Sequence, residues 1–236
     1  MFTGFFNQVK QEFVSARWLY FEGVNSEDPH ISDRDVLLYN TLDYPTFGLA
    51  VEKVKIAFRM AYSLFDKIAY FLNHYLKLGI REWQASFKAI WYERPGVVRK
   101  ELEASENWPL RGLYWLSKDL FEKGFSDLTD PDARALDHLR NHLEHKYVKV
   151  HSMGVPFRCN GRNTGDLFFD HFAHSVSNAD LEQRTLRLMK LVRSALIYLS
   201  LGMHREEQRR RKAAGSAVLI APMRVDPWDD EWKRRW

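Results

Sequence analysis

The sequence predicts an all-α, up-and-down helical bundle. Between Phe47 and Leu78 the residues Val51, Val54, Phe58, Ala61, Phe65, Ile68, Leu72 and Tyr75 recur every three or four positions. That spacing lays one apolar stripe along a long helix. It returns in Leu181, Leu188, Val192, Ala195 and Leu199. Glycine and proline gather between these stretches, and the apolar–polar alternation of a half-buried strand is scarce.

In chain order, Phe5–Glu22 reads as a helix and Val24–Pro45 as a connector rich in turn formers, with one short helix. The long helix follows, with Gly79 as its stop. A further helix covers Leu110–Glu122. The next is capped by Thr129 or Asp130, with Pro131 fitting its first position. Ser152–Ser175 holds Gly154, Pro156, Gly161 and Gly165 and reads as a long loop. The final major helix starts at Ser177 or Asn178, carries Asp180 and Glu182 in its first turn, and runs to about Gly202. Ser216–Val225 suits a short extended piece. After it, Asp226 and Pro227 open a short helix that aligns Trp228, Trp232 and Trp236. Those rings either fold back on the bundle or stack on RNA bases with Arg234 and Arg235.

A chain of 236 residues corresponds to one domain with extensions. An apolar share of 45% with 14% aromatics provides for a packed core. Lys plus Arg exceed Asp plus Glu by 35 − 31 = 4, a balance for visiting an anionic partner rather than coating DNA. Positive charge concentrates in Arg209, Arg210, Arg211 and Lys212 and again in Lys233–Arg235. The first run is a solvated helix end or a hold for RNA phosphates. One cysteine, Cys159, permits no internal disulfide and suits a reducing compartment. With no signal-peptide pattern and no apolar run near ~20 residues, a cytoplasmic protein without membrane contact is expected.

The stretch with the most chemistry is Arg140-Asn141-His142-Leu143-Glu144-His145-Lys146-Tyr147. Arg is permanently charged and His titrates near neutrality, a pairing suited to holding a phosphodiester and moving protons on it. At roughly 100° per residue with Arg140 at zero, Leu136, Leu139, Leu143, Tyr147 and Val150 form one apolar stripe facing the core. Arg140 and Glu144 border that stripe, one turn apart, as a salt-bridge pair would be. Asn141, His138, His142 and His145 lie on the opposite side. A site there is open to water unless covered, and two copies packed face to face would cover it, so a homodimer is expected.

This pattern, Arg-Asn-x-x-x-His late in an all-α chain after a long helix carrying Ser63–Asn73, resembles the Arg-x4–6-His signature of the HEPN superfamily. The resemblance covers residues 47–201, leaving 1–46 as an N-terminal helical extension and connector, and 202–236 as a basic tail. It implies a helical bundle that works as a dimer. It also implies a metal-independent endoribonuclease of a toxin, phage-defence or RNA-processing system, with Arg140, Asn141 and His145 at the catalytic positions. His142 and Glu144 stand beside them in support. Some members carry, two residues after the His, a tyrosine that a partner antitoxin adenylylates. Tyr147 stands there, though its place in the apolar stripe favours a core tyrosine with its hydroxyl at the rim.

Other readings bear on the same residues. A non-catalytic HEPN-like module would bind nucleotide, RNA or a regulatory protein through the same face. His138 and His142 are one turn apart, as a helical zinc pair would be, and Asp170, His171 and His174 form a second group. However, His138 and His145 are ~10 Å apart along the axis, and no cysteine cluster accompanies either group. No metal and no cofactor is expected. Asp66 and Lys67, between apolar neighbours on the long helix, read as rim contacts, with Asp66 a secondary candidate to support Arg140. Cys159 has no helical His partner near it in sequence and reads as incidental.

Overall fold

A computed structural model describes residues 2–38, 45–103, 105–121, 133–152 and 172–215. Among them six helices dominate: α1 (Phe2–Asn25), α2 (Leu49–Leu76), α3 (Lys100–Glu103), α4 (Trp108–Phe121), α5 (Ala133–His145) and α6 (Asn178–Ala214). The all-α reading holds. Short strands accompany the helices: a hairpin of β1 (Tyr92–Arg94) and β2 (Val97–Val98), and a parallel pair of β3 (Tyr147–His151) and β4 (Ala173–Ser177).

Helix α2 is the axis of the bundle, packed against α1, α5 and α6. The stripe read from its sequence is the buried one: Val54, Phe58, Ala61, Phe65, Ile68 and Leu72 are almost wholly removed from solvent. It ends where Lys77 adopts a left-handed conformation at φ 55° and donates its N–H back to the last turn, two residues before the expected glycine stop. Helix α1 contributes Val9, Phe13 and Ala16 to the same core. On the other side, Phe87, Ile90 and Trp91 fill the space between α2 and α4. The carbonyl of Phe87 accepts both the Trp91 indole N–H at 2.6 Å and the Ser117 hydroxyl at 2.9 Å.

The sequence reading differs from the structure at three places. Helix α6 begins as expected, with the Ser177 hydroxyl accepting the Asp180 N–H, but continues past Gly202 to Ala214. Gly202 is a point of close approach: a Cβ there would lie 2.9 Å from the Leu110 side chain, and its carbonyl accepts from Asn107 at 2.8 Å. Second, the motif helix stops at His145, so Tyr147 and Val150 belong to a strand. Val148 and Val150 are β-branched and alternate with longer side chains, a pattern that fits a pleated surface. Third, the end of the expected loop, Ala173–Ser175, belongs to β4.

Strand β3 pairs with β4 in parallel register, Val148 opposite His174 and Val150 opposite Val176. Pro45 bridges His151, and the Thr46 N–H donates to the Val150 carbonyl at 2.7 Å. Parallel pairing needs a crossover of a dozen or more residues, which the chain between Ser152 and Phe172 supplies. The expected caps Thr129, Asp130 and Pro131, the group Cys159, Asp170 and His171, and the whole Ser216–Trp236 tail lie outside the described residues. No described helix is long and apolar enough to cross a membrane.

Candidate functional site

Helix α5 buries Leu136 and Leu139 completely against α2 and α4. That anchorage fixes the rotation of the helix, and with it the direction of every motif side chain. Arg140 lies at the rim, half-buried, while Asn141, Glu144 and His145 are exposed. His142 is half-buried on the same outward side. The distribution follows the helical wheel.

The guanidinium of Arg140 sits over the Tyr62 ring, 5.5 Å from its centroid, and donates to the Asn141 side-chain oxygen at 3.1 Å. Tyr62 donates its hydroxyl to Asp137 at 3.0 Å. Burial first, and then the Asp137 carboxylate, push the Tyr62 phenol well above its ordinary range, so it remains a donor at any working pH. Asp66 lies deeper. Burial raises its pKa, opposed by a hydrogen bond from the Phe87 backbone and by the charge of Arg140. Arg140 is therefore positioned by α2 rather than by Glu144, with which it forms no ion pair among the described residues. The aromatic face and Asn141 preorganise the guanidinium while leaving part of its donor fork open at the rim. The Asn141 amide keeps its NH2 as a free-facing donor because its oxygen is the acceptor for Arg140.

Tyr147 opens β3, half-buried, with its ring 6.2 Å from Phe172 and the Lys149 ammonium 5.8 Å from its centroid. The helical spacing predicts a core tyrosine with its hydroxyl at the rim, whereas Tyr147 is a half-buried strand residue.

The outward side of α5 holds an arrangement that local spacing does not reveal. Strand β4 brings His174 to His138 and His142, with ring centroids 4.9 and 4.5 Å away, while His138 and His142 lie 4.2 Å apart. Burial, and then the charges of His142 and His138, push His174 down to about 4. Burial likewise lowers His138. His174 is therefore a neutral imidazole at neutral pH. The His174 Nε2 is buried without a hydrogen-bond partner, a state that costs about 1–3 kcal/mol when nothing compensates it. His174 had been grouped by sequence with Asp170 and His171; pairing it with α5 requires the register of β3 against β4, which no local pattern encodes.

The basic run at the end of α6 is partly engaged within the fold. Arg209 and Arg210 both bind the Glu206 carboxylate, at 2.7 and 3.1 Å, and Arg210 stacks on Tyr75 at 4.3 Å. Arg211 and Lys212 are exposed. A cleft of about 1140 Å³ beside them mixes Glu101, Glu106 and Glu206 with Arg209, Arg210 and Lys212. It contains no motif residue, and its mixed charge lacks the single-sign field that concentrates an anionic ligand.

Hydrogen bonds from Arg209, offset by burial and reinforced by Arg210, hold the Glu206 carboxyl below its ordinary 4.5. A depressed acid stabilises the fold above its unfolded pKa and loses that contribution as pH falls through the folded value. Glu206→Gln should therefore melt at a lower temperature than wild type at pH 7. The gap should narrow as pH drops below 4.5. Thermal unfolding followed by circular dichroism across this range checks it, and a gap independent of pH would contradict the assignment.

A model described as LA2681-like HEPN matches residues 1–206. The chain belongs to this HEPN family. The match takes in α1 and the connector as well as the bundle from α2 onward, consistent with α1 sharing the core. No curated protein and no solved structure matches the chain. At family level, HEPN membership points to a nuclease or other RNA-related function.

Proposed function

We propose that this HEPN protein is an endoribonuclease that cleaves RNA without a metal ion, at a site shared by two copies of the chain, as a toxin or phage-defence effector. The observation that carries this reading is the state of the motif on α5. Arg140 is held at the rim by Tyr62 and Asn141, while Asn141 and His145 face outward. The family match supports the same assignment.

His145 lies five residues after Arg140, about 140° around the helix and ~7.5 Å along it. One copy therefore supplies one His145, set apart from its own arginine. In-line transesterification uses both a base and an acid. Two motifs facing each other across a twofold axis supply two imidazoles and two guanidinia, and cover the exposed face. One His145 takes the proton from a ribose 2′-hydroxyl as its oxygen bonds to phosphorus. The other protonates the departing 5′-oxygen as its bond to phosphorus breaks. Arg140 binds the scissile phosphate and stabilises its developing charge, and the Asn141 amide donates to phosphate or ribose. The products are a 2′,3′-cyclic phosphate and a 5′-hydroxyl; DNA lacks the attacking group.

The deciving comparison is RNA cleavage in excess EDTA by wild type and His145→Ala, with the product ends analysed. Cyclic-phosphate ends that disappear in the variant are expected, with a rate loss of about 100-fold or more. Equal cleavage by both proteins would remove His145 from the reaction. RNA binding without cutting by wild type would make the chain a binding module instead.

A further inference from the structure

The three histidines gathered by β4 occupy none of the catalytic positions Arg140, Asn141 and His145, although His142 stands beside them, and their arrangement has its own chemistry. Each offers one ring nitrogen, and these nitrogens all lie within 4.8 Å of one another. Around a tetrahedral ion with metal–nitrogen bonds of about 2.0–2.1 Å, ligand nitrogens stand roughly 3.4 Å apart. On binding, side-chain rotation would close a difference of at most about 1.4 Å. We infer that His138, His142 and His174 form a binding site for a zinc-like divalent transition-metal ion that fastens strand β4 to the motif helix.

Two observations separate this from simple packing of three rings. His142 Nδ1 lies 2.8 Å from the His138 carbonyl oxygen. A carbonyl only accepts, so Nδ1 carries the proton and Nε2 keeps the lone pair. Metal-ligating histidines are commonly oriented in this way, with the second ring nitrogen donating to a carbonyl or carboxylate. The second observation is the buried, unpartnered Nε2 of His174. Coordination would satisfy this nitrogen, whereas ring stacking leaves it unpaired.

The placement suits an ion that orders structure. His138 and His142 are one turn apart on α5, while His174 stands in β4, three residues before the Ser177 cap of α6. An ion there ties α5 to β4, which leads directly into α6, across the crossover from Ser152 to Phe172. Three imidazoles and no thiolate suit Zn2+, Co2+, Ni2+ or Cu2+ rather than Mg2+ or Ca2+. His138 is exposed in the single chain, so a fourth position there is open to water or an anion. Lys146 and Arg184 lie near enough to act on His174, and their charge favours the anion. No step of RNA cleavage passes through this ion.

The test is a titration of chelator-treated, full-length protein with Co2+ alone, followed by visible absorption and by thermal unfolding. One Co2+ per chain is expected, with ligand-field absorption of a nitrogen-coordinated ion and a raised melting temperature. His138→Gln and His174→Gln should each weaken binding at least tenfold. His204→Gln, on the distant end of α6, and His145→Ala should bind as wild type does. If His174→Gln fails to fold, the exposed His138 decides the matter, since its replacement disturbs no core. Absence of stoichiometric Co2+ binding, or binding unchanged in His138→Gln, would overturn the inference. Because the readout is coordination, it stands or falls separately from the nuclease reading.

Discussion

Arg140→Ala is expected to slow RNA cleavage by about 100- to 1000-fold, the loss typical of removing a donor from developing transition-state charge, while the bundle stays folded. The reasoning starts from how the side chain is held. Its guanidinium rests on the Tyr62 ring and is tied to Asn141, and its charge acts on the half-buried Asp66. Binding phosphate then requires little reorganisation of the arginine. Arg140→Lys keeps the charge but loses the planar fork that matches two phosphate oxygens and stacks on an aromatic face. It should recover only a small part of the activity. Single-turnover rates at saturating RNA, alongside melting curves, separate a loss of chemistry from a loss of fold. A folded Arg140→Ala protein that cuts at the wild-type rate would exclude Arg140 from the reaction.

The parts of this molecule that were legible in the sequence are those fixed by local spacing. The α2 stripe is buried from Val54 to Tyr75, with Val51 half-buried at its start, because helix periodicity alone decides which side chains share a face. The orientation of the motif followed for the same reason: Leu136 and Leu139 are buried, and Asn141 and His145 are exposed. What local spacing did not contain was contact between distant segments. Gly202 looked like a helix stop because glycine often is one, whereas here it admits Leu110 and Asn107. Tyr147–His151 continued the helical stripe on paper, yet its valines pair with β4. His174 joins His138 and His142 only through that pairing. The partners of Arg140 span the chain as well: Asn141 is its neighbour in sequence and Asp66 is a candidate on the long helix, whereas Tyr62, far away on α2, carries no sequence signal for this role.

The largest effect on stability should come from Phe65→Ala. Phe65 is wholly buried, with its ring 4.9 Å from Phe87 and 6.3 Å from Tyr62 in an edge-to-face contact. Removing it opens a cavity where α2 meets the Phe87–Trp91 segment. Neither neighbour is free to collapse into that space. The Phe87 carbonyl is fixed by Trp91 and Ser117, and Tyr62 is fixed by Asp137. The expected cost is about 3–5 kcal/mol, a large share of the ~5–15 kcal/mol that holds a typical domain together. The melting temperature should fall by roughly 10 °C. Tyr70→Ala on the same helix removes a side chain that is 45% exposed and should cost less than about 1 kcal/mol. Urea unfolding of both variants gives the comparison, with an unchanged slope showing that the two-state reference is preserved. Similar losses for the two would contradict the central position of Phe65. Activity provides a second readout, because Tyr62 carries the arginine on its face. At a temperature where Phe65→Ala remains folded, its cleavage rate should still fall, transmitting a core defect to the rim through a single aromatic contact.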